Sequence, residues 1–377
     1  MALPGLDFRQ PQVCQSASAG MGAIFELFRP RRRIYSRRET LPEDFMVESS
    51  FDVAGIGNAI VDVLAHADDG VLAKLGVAKG VMTLVDADRS DAVYQVMERR
   101  IECSGGSAAN TVAGVAVLGG RAAFIGKVRD DSLGDVFRRD LERLAVNFAT
   151  PAAASGPSTA RCMVLVTPDA QRTMQTYLGV STDLGPEDVD QDVVAGAKVT
   201  YLEGYLWDPP RAKEAFRKAA AIAHAAGRKV ALSLSDPFCV ERHRAEFLQL
   251  MTDHIDILFA NEAEITALYQ TGFGEALARL KDHVELGIVT RGAHGSVVVS
   301  GPTTVSIGAE PVPAVIDTTG AGDLYAAGFL YGFTQGRDLG TCARLGGLCA
   351  AEIIGHIGAR PAVDLSRLVA HTLTQTV

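Results

Sequence analysis

Asp317-Thr318-Thr319-Gly320-Ala321-Gly322-Asp323 is the stretch from which the rest of this chain can be read. Two glycines flank an alanine, and an aspartate follows at once. The next residues, Leu324 to Phe333, are apolar or small, with no proline before Pro361. They predict a buried helix that Gly336 can end. A flexible turn therefore delivers backbone N–H groups to a helix N-terminus, where the positive end of the helix dipole suits an anion, above all a phosphate. Asp323 falls in the first turn, beside that anion. A carboxylate there opposes simple phosphate storage, because like charges repel. It suits phosphoryl transfer if it takes the proton from a hydroxyl that attacks phosphorus. The plainer alternative at this point is an acidic helix start after a glycine turn.

Working outward, strands and helices alternate. Phe51–Gly57 reads as a first strand ending in a glycine turn, Ser107–Leu118 as a buried helix closed by Gly119-Gly120, Ala122–Gly126 as a strand and Ser132–Leu144 as a helix. Cys162–Thr167 and Met174–Tyr177 look like paired strands around Pro168-Asp169-Ala170. Val199–Leu202, Val230–Leu234, Ile255–Phe259, Gly287–Thr290 and Ser296–Val299 read as further strands, with helices over Arg211–Ala226 and from Glu262 to Tyr269. The order implies an α/β fold with a mainly parallel sheet and helices on both faces, in which ligands bind beyond the carboxyl ends of the strands.

Composition narrows the function. The chain has 377 residues, 47% of them hydrophobic, and no run of about 18 apolar residues that would span a membrane. A net charge of −9 argues against nucleic acid as a partner. Six scattered cysteines without a CxxC pair or zinc spacing imply reduced thiols in a cytoplasmic enzyme. Residues 1–48 differ from the rest, with six arginines between Arg29 and Arg38 followed closely by acids. They read as a disordered tail, or as residues ahead of a true start at Met46, in preference to a targeting segment. Two phosphate motifs fail. In Gly55-Ile56-Gly57 the third dinucleotide glycine is replaced by Ile60, and around Gly126-Lys127 a Walker A loop lacks its first glycine and its Ser/Thr.

Four more polar clusters follow predicted strands: Gly57-Asn58-Ala59-Ile60-Val61-Asp62, Gly105-Gly106-Ser107-Ala108-Ala109-Asn110, Asn261-Glu262-Ala263-Glu264 and Thr290-Arg291-Gly292-Ala293-His294-Gly295. Their order and spacing, with Asp317–Asp323, resemble the ribokinase-like (PfkB) carbohydrate and nucleoside kinases over roughly residues 50–365. The resemblance implies a three-layer sandwich with a small β-sheet lid, assembled from about 58–66, 76–86 and 160–180 within a kinase domain spanning 49–377. It implies Asp323 as general base and Gly320, Ala321 and Gly322 as an anion hole for the moving phosphoryl group. Asn58, Asp62, Gly105, Gly106, Ser107 and Asn110 match acceptor-binding positions, and Arg172 on the lid would reach the transferred phosphate. Asn261 and Glu264 match the pair that organises Mg²⁺ through water. Thr290, Gly292 and Gly295 match the ATP loop, and Asp317 a position near a K⁺ site in some members. Capping of a helix by Asn261 and Glu264 is compatible with the metal role.

The Asn58-to-Asp62 spacing, Gly106–Asn110, Asn261–Glu264 and the Ser235-Asp236-Pro237-Phe238 turn resemble the adenosine-kinase branch. Tyr205 and Trp207, just past a strand end, offer flat surfaces for a purine, or simply core packing. The expected partners are ATP and a nucleoside, with a sugar acceptor as the alternative. Neither nucleic acid nor membrane is expected, and the enzyme is expected as a monomer or homodimer.

Overall fold

The structure, a computed structural model, describes residues 49–169 and 171–374; the expected tail over 1–48 and the turn residue Ala170 lie outside them. In chain order the strands are β1 Phe51–Ile56, β2 Ile60–His66, β3 Met82–Leu84, β4 Ile101–Gly105, β5 Ala122–Ile125, β6 Ala160–Val166 and β7 Arg172–Tyr177. There follow β8 Ala197–Glu203, β9 Lys229–Ser233, β10 Ile257–Asn261, β11 Leu286–Thr290, β12 Ser296–Ser300 and β13 Thr303–Ile307. Eight of them form the main sheet, in the order β13-β12-β11-β10-β9-β8-β1-β5. The run from β11 to β5 is parallel, and β12 and β13 join antiparallel.

Successive side chains of a strand leave opposite faces of a sheet, so strands covered by helices on both sides must be apolar throughout. The central strands obey this. Val53, Phe124 and Tyr201 enter one buried cluster with Val112, Leu324, Phe329 and Leu345, from the helices Ser107–Val117, Ala321–Thr334 and Leu339–Ile353. Their neighbours Ala54, Ile125 and Leu202 enter the other, with Phe216 and Phe247 from Pro210–Ala225 and Pro237–His254. The result is the ribokinase-like α/β fold, helix on sheet on helix.

The other five strands make a separate sheet, β3-β7-β6-β2-β4. Its strands β2, β3, β6 and β7 fall in the three segments expected for a lid, and β4 adds an edge that was not expected. Gly57–Ala59 carries the chain from β1 into β2, and β4 returns it through Gly106 into Ser107–Val117. Both crossings lie at the carboxyl end of β1, where the polar clusters gather. Boundaries shift in places. The strand expected at Ile255 starts at Ile257, because the preceding helix runs to His254 and the Ile255 amide still caps it by donating to Met251 O.

Candidate active site

The helix Ala321–Thr334 begins as the glycine turn requires. Gly320 is its N-cap in the left-handed region, φ 78°, and a side chain there would press on Ala359. The Ala321 amide closes the turn on Thr318 O at 3.2 Å, and Gly322 is exposed. Asp323 is half-buried and held by three residues of the helix Ser107–Val117. Ser107 Oγ donates to its Oδ1 at 2.6 Å, Asn110 Nδ2 to its Oδ2 at 2.9 Å, and Thr111 Oγ1 to its main-chain carbonyl at 3.2 Å. Burial pushes the Asp323 carboxyl above the usual carboxylate range, while the bonds from Ser107 and Asn110 oppose that shift. Asn110 Oδ1 is buried without a hydrogen-bond partner, so a bound hydroxyl would satisfy it.

Facing this group is Asp62 of β2. A Cβ on Gly105 would overlap the Asp62 carboxylate, which accounts for a glycine in the paired β4 residue range. Cys103 and Cys162 are the register partners of Asp62 on the two adjoining strands. Burial pushes the Asp62 carboxyl up to about 6, against the pull of Arg360 and Arg172 and with the push of Asp323. The same burial pushes both thiols up to about 12, which keeps them protonated and unreactive.

Asn58 and Asp317 both bond other protein groups. Asn58 is 1% exposed, donates through Nδ2 to Glu203 Oε1 at 2.8 Å and accepts from Ser181 Oγ at 2.8 Å. Asp317 is buried and pairs with a side-chain cation. Arg172 Nη1 lies 2.6 Å from its Oδ2 and donates to Thr319 Oγ1 at 2.6 Å. The amides of Thr319 and Gly358 complete its shell, each at 3.0 Å. Arg172 thus ties β7 of the small sheet to the turn in front of Gly320.

Across the carboxyl ends of β10 and β11, Asn261 and Thr290 stand in register on neighbouring strands. Asn261 caps the helix Glu262–Tyr269 by accepting from Glu264 N at 2.9 Å, and Glu264 answers by accepting from Asn261 N at 2.9 Å, a reciprocal capping box. Burial pushes the Glu264 carboxyl up to about 7. No cationic side chain pairs with it among the described residues, a donor set that fits a divalent ion approached through water. Gly292 and Gly295 bound the turn after β11, φ 54° and 76°.

Three further groups belong to this region. Arg360 donates to Ser104 Oγ at 2.9 Å and to Ala109 O at 3.2 Å, and its charge acts on both Asp62 and Asp323. Tyr205 is 38% exposed, and burial together with Asp236, Asp323, Glu264 and Glu203 raises its pKa. Phe238 is 73% exposed in the first turn of the helix Pro237–His254 that follows β9. Trp207, by contrast, is fully buried between Phe216 and Phe247, so of the two readings of this residue core packing holds.

A doubly wound sheet that carries a glycine-capped helix, an acid in its first turn and a second sheet above it defines a kinase of small hydroxyl compounds. Residues 80–365 match the pfkB family carbohydrate kinase, and the chain belongs to that family, as a phosphotransferase with a hydroxyl acceptor. It is similar to the crystal structure of adenosine kinase from Sinorhizobium meliloti, 54% identical with a TM-score of 0.79, covering 85% of this chain and 99% of that one. It is also similar to a probable sugar kinase from Rhizobium etli CFN 42, 48% identical with a TM-score of 0.81, covering 87% and 100%. The adenosine kinase of Saccharomyces cerevisiae is 29% identical over 327 residues, 80% of this chain and 94% of the relative. These likenesses put the chain in the adenosine kinase-like branch of the family.

Proposed function

We propose that the protein transfers the γ-phosphate of ATP to the 5′-hydroxyl of adenosine or a closely related nucleoside. One observation carries the reading: Asp323 is fixed by Ser107 and Asn110 at a glycine-capped helix start, with Asp62 facing it from the small sheet. Asp62 accepts two hydroxyls of the ribose ring, and charge-assisted bonds of this kind are the stronger ones. The 5′-hydroxyl then lies at Asp323, which takes its proton as the oxygen attacks phosphorus. Gly320, Ala321 and Gly322 at the positive helix end stabilise charge on the phosphoryl group in transit, and Arg172 leaves Asp317 for that group as the small sheet closes. Thr290, Gly292 and Gly295 line the nucleotide side. Mg²⁺ supplies charge neutralisation between the phosphates when bound, and Asn261 and Glu264 hold its water shell. A closed small sheet excludes water from the phosphoryl group.

The nucleoside reading rests on Tyr205 and Phe238, two accessible aromatics in the segments that follow the neighbouring strands β8 and β9, where a flat purine gains more than a bare sugar. The test is ADP release with Mg-ATP and a panel of adenosine, inosine, guanosine, ribose and fructose. Turnover of adenosine or another purine nucleoside is expected. Turnover of a free sugar with no nucleoside would overturn the acceptor assignment.

A further inference from the structure

The geometry points to Glu203 as a positioning residue that sets the spacing between the two halves of the acceptor site. The inference rests on the phosphotransferase reading above, though not on which hydroxyl compound is the acceptor. Glu203 ends β8 and is 1% exposed. Its Oε1 accepts from Asn58 N at 3.3 Å and from Asn58 Nδ2 at 2.8 Å, and its Oε2 accepts from Ala108 N at 2.8 Å. No cationic side chain pairs with it among the described residues; burial pushes its carboxyl up to about 7, and the bonds from Ala108 and Asn58 oppose that shift.

What they belong to gives the carboxylate its significance. Asn58 lies in the crossing that leaves β1 and enters β2, four residues before Asp62. Ala108 is the second residue of the helix whose Ser107 and Asn110 grip Asp323. The first N–H groups of any helix lack intrahelical partners and need an acceptor. A helix usually takes one from its own N-cap side chain. Here the N-cap is Gly106, which forms no side-chain cap, and a Cβ at that position would overlap Asn58 O. The close crossing of the two segments thus excludes a local cap, and β8 provides the acceptor from outside. The positive helix end also favours a carboxylate over a neutral group. One side chain therefore caps the helix bearing the partners of Asp323 and pins the turn bearing Asp62. Ser181 holds the far side of Asn58, which leaves the Asn58 amide little freedom to follow if Glu203 moves.

Glu203→Gln tests this. Glutamine has one accepting oxygen, so its NH₂ must face either the Ala108 amide or Asn58, donor against donor. Acceptor kcat/KM is expected to fall ~10–100-fold, the scale of a misplacement of about 1 Å, with the KM for ATP within twofold of the parent. Ser107→Ala and the Ser107→Ala/Glu203→Gln double variant complete a cycle. If Glu203 acts through the helix start, the double variant loses less than the product of the single losses. Asn58→Ala, which leaves the Ala108 bond in place, serves if Glu203→Gln does not fold; it should raise the KM of the acceptor and leave that of ATP alone. The parent enzyme is assayed alongside on the acceptor panel, so failure of the nucleoside reading shows there and not in the variants. Glu203→Gln with acceptor kcat/KM within twofold of the parent, equal losses toward acceptor and ATP, or a multiplicative cycle would each overturn the assignment.

Discussion

Replacing Asp323 by asparagine separates chemistry from architecture, and the hydrogen bonds around it set the size of each effect. The substitution keeps shape. With its carbonyl oxygen toward Asn110 Nδ2 and its NH₂ toward Ser107, both contacts survive, because a serine hydroxyl can turn and accept. What is lost is the charge on two bonds, a change of about 1–2 kcal/mol between charged and neutral hydrogen bonds. The burial that raises the Asp323 pKa works the other way, since a neutral amide is cheaper to bury than a carboxylate. The two nearly cancel, so the unfolding midpoint should move by less than about 4 °C. Catalysis has no such offset. Without a base the attacking hydroxyl keeps its proton, and positioned proton transfer contributes ~10²–10⁴-fold, or about 3–5 kcal/mol of barrier. ADP release at saturating ATP and acceptor, read beside a thermal melt and calorimetric acceptor binding, tests both halves. A variant that melts normally, binds acceptor and still turns over within tenfold of the parent would refute the base assignment. A variant that is inactive because it unfolds would refute the structural half.

Asp62→Asn should raise the acceptor KM on the order of 10–100-fold, as expected for one or two charge-assisted bonds, with the ATP KM unchanged in the same titrations. Because burial lifts the Asp62 carboxyl to about 6, it takes up a proton as pH drops through that value, so acceptor kcat/KM should fall there; a profile flat down to pH 5 would contradict this. Arg172→Ala leaves Asp317 buried without its cation, and breaking such a pair costs about 3–5 kcal/mol, so a lower melting temperature and lower kcat should appear together; Arg172→Lys, whose shorter side chain must reach both groups that Nη1 now touches, should restore only part. Phe238→Ala should leave the melt unchanged, since the ring is 73% exposed, and raise the adenosine KM ~3–10-fold, the worth of one aromatic contact; an unchanged KM would remove Phe238 from the purine surface.

Much of this was legible because the signals were local. A glycine turn before a small-residue helix can only be a tight helix start, and apolar runs such as Val230–Leu234 can only be covered strands. The small sheet was harder at its edges. Met82, Leu84 and Ile101 are exposed, so β3 and β4 carry no pattern of burial and exist by pairing with β7 and β2. Trp207 stood close to a strand end in sequence, yet the short helical turn Gly204–Trp207 swings it inward, and no spacing rule announces that. Arg360 had no local signal either. It reaches Ala109 across 251 residues, and only the packing of the last loop brings it there. The bond from Asn58 to Glu203 had no local signal, because the two lie 145 residues apart.

The division of labour between the two sheets bears on how such an enzyme changes its diet over generations. Asp62 and Arg172 ride on the small sheet, whereas Asp323, Gly320, Asn261 and Thr290 belong to the main sheet and its helices. On the roles proposed above, substitutions along β2, β4 and β6 would reshape what is phosphorylated while Asp323 and the glycine turn before it stay untouched.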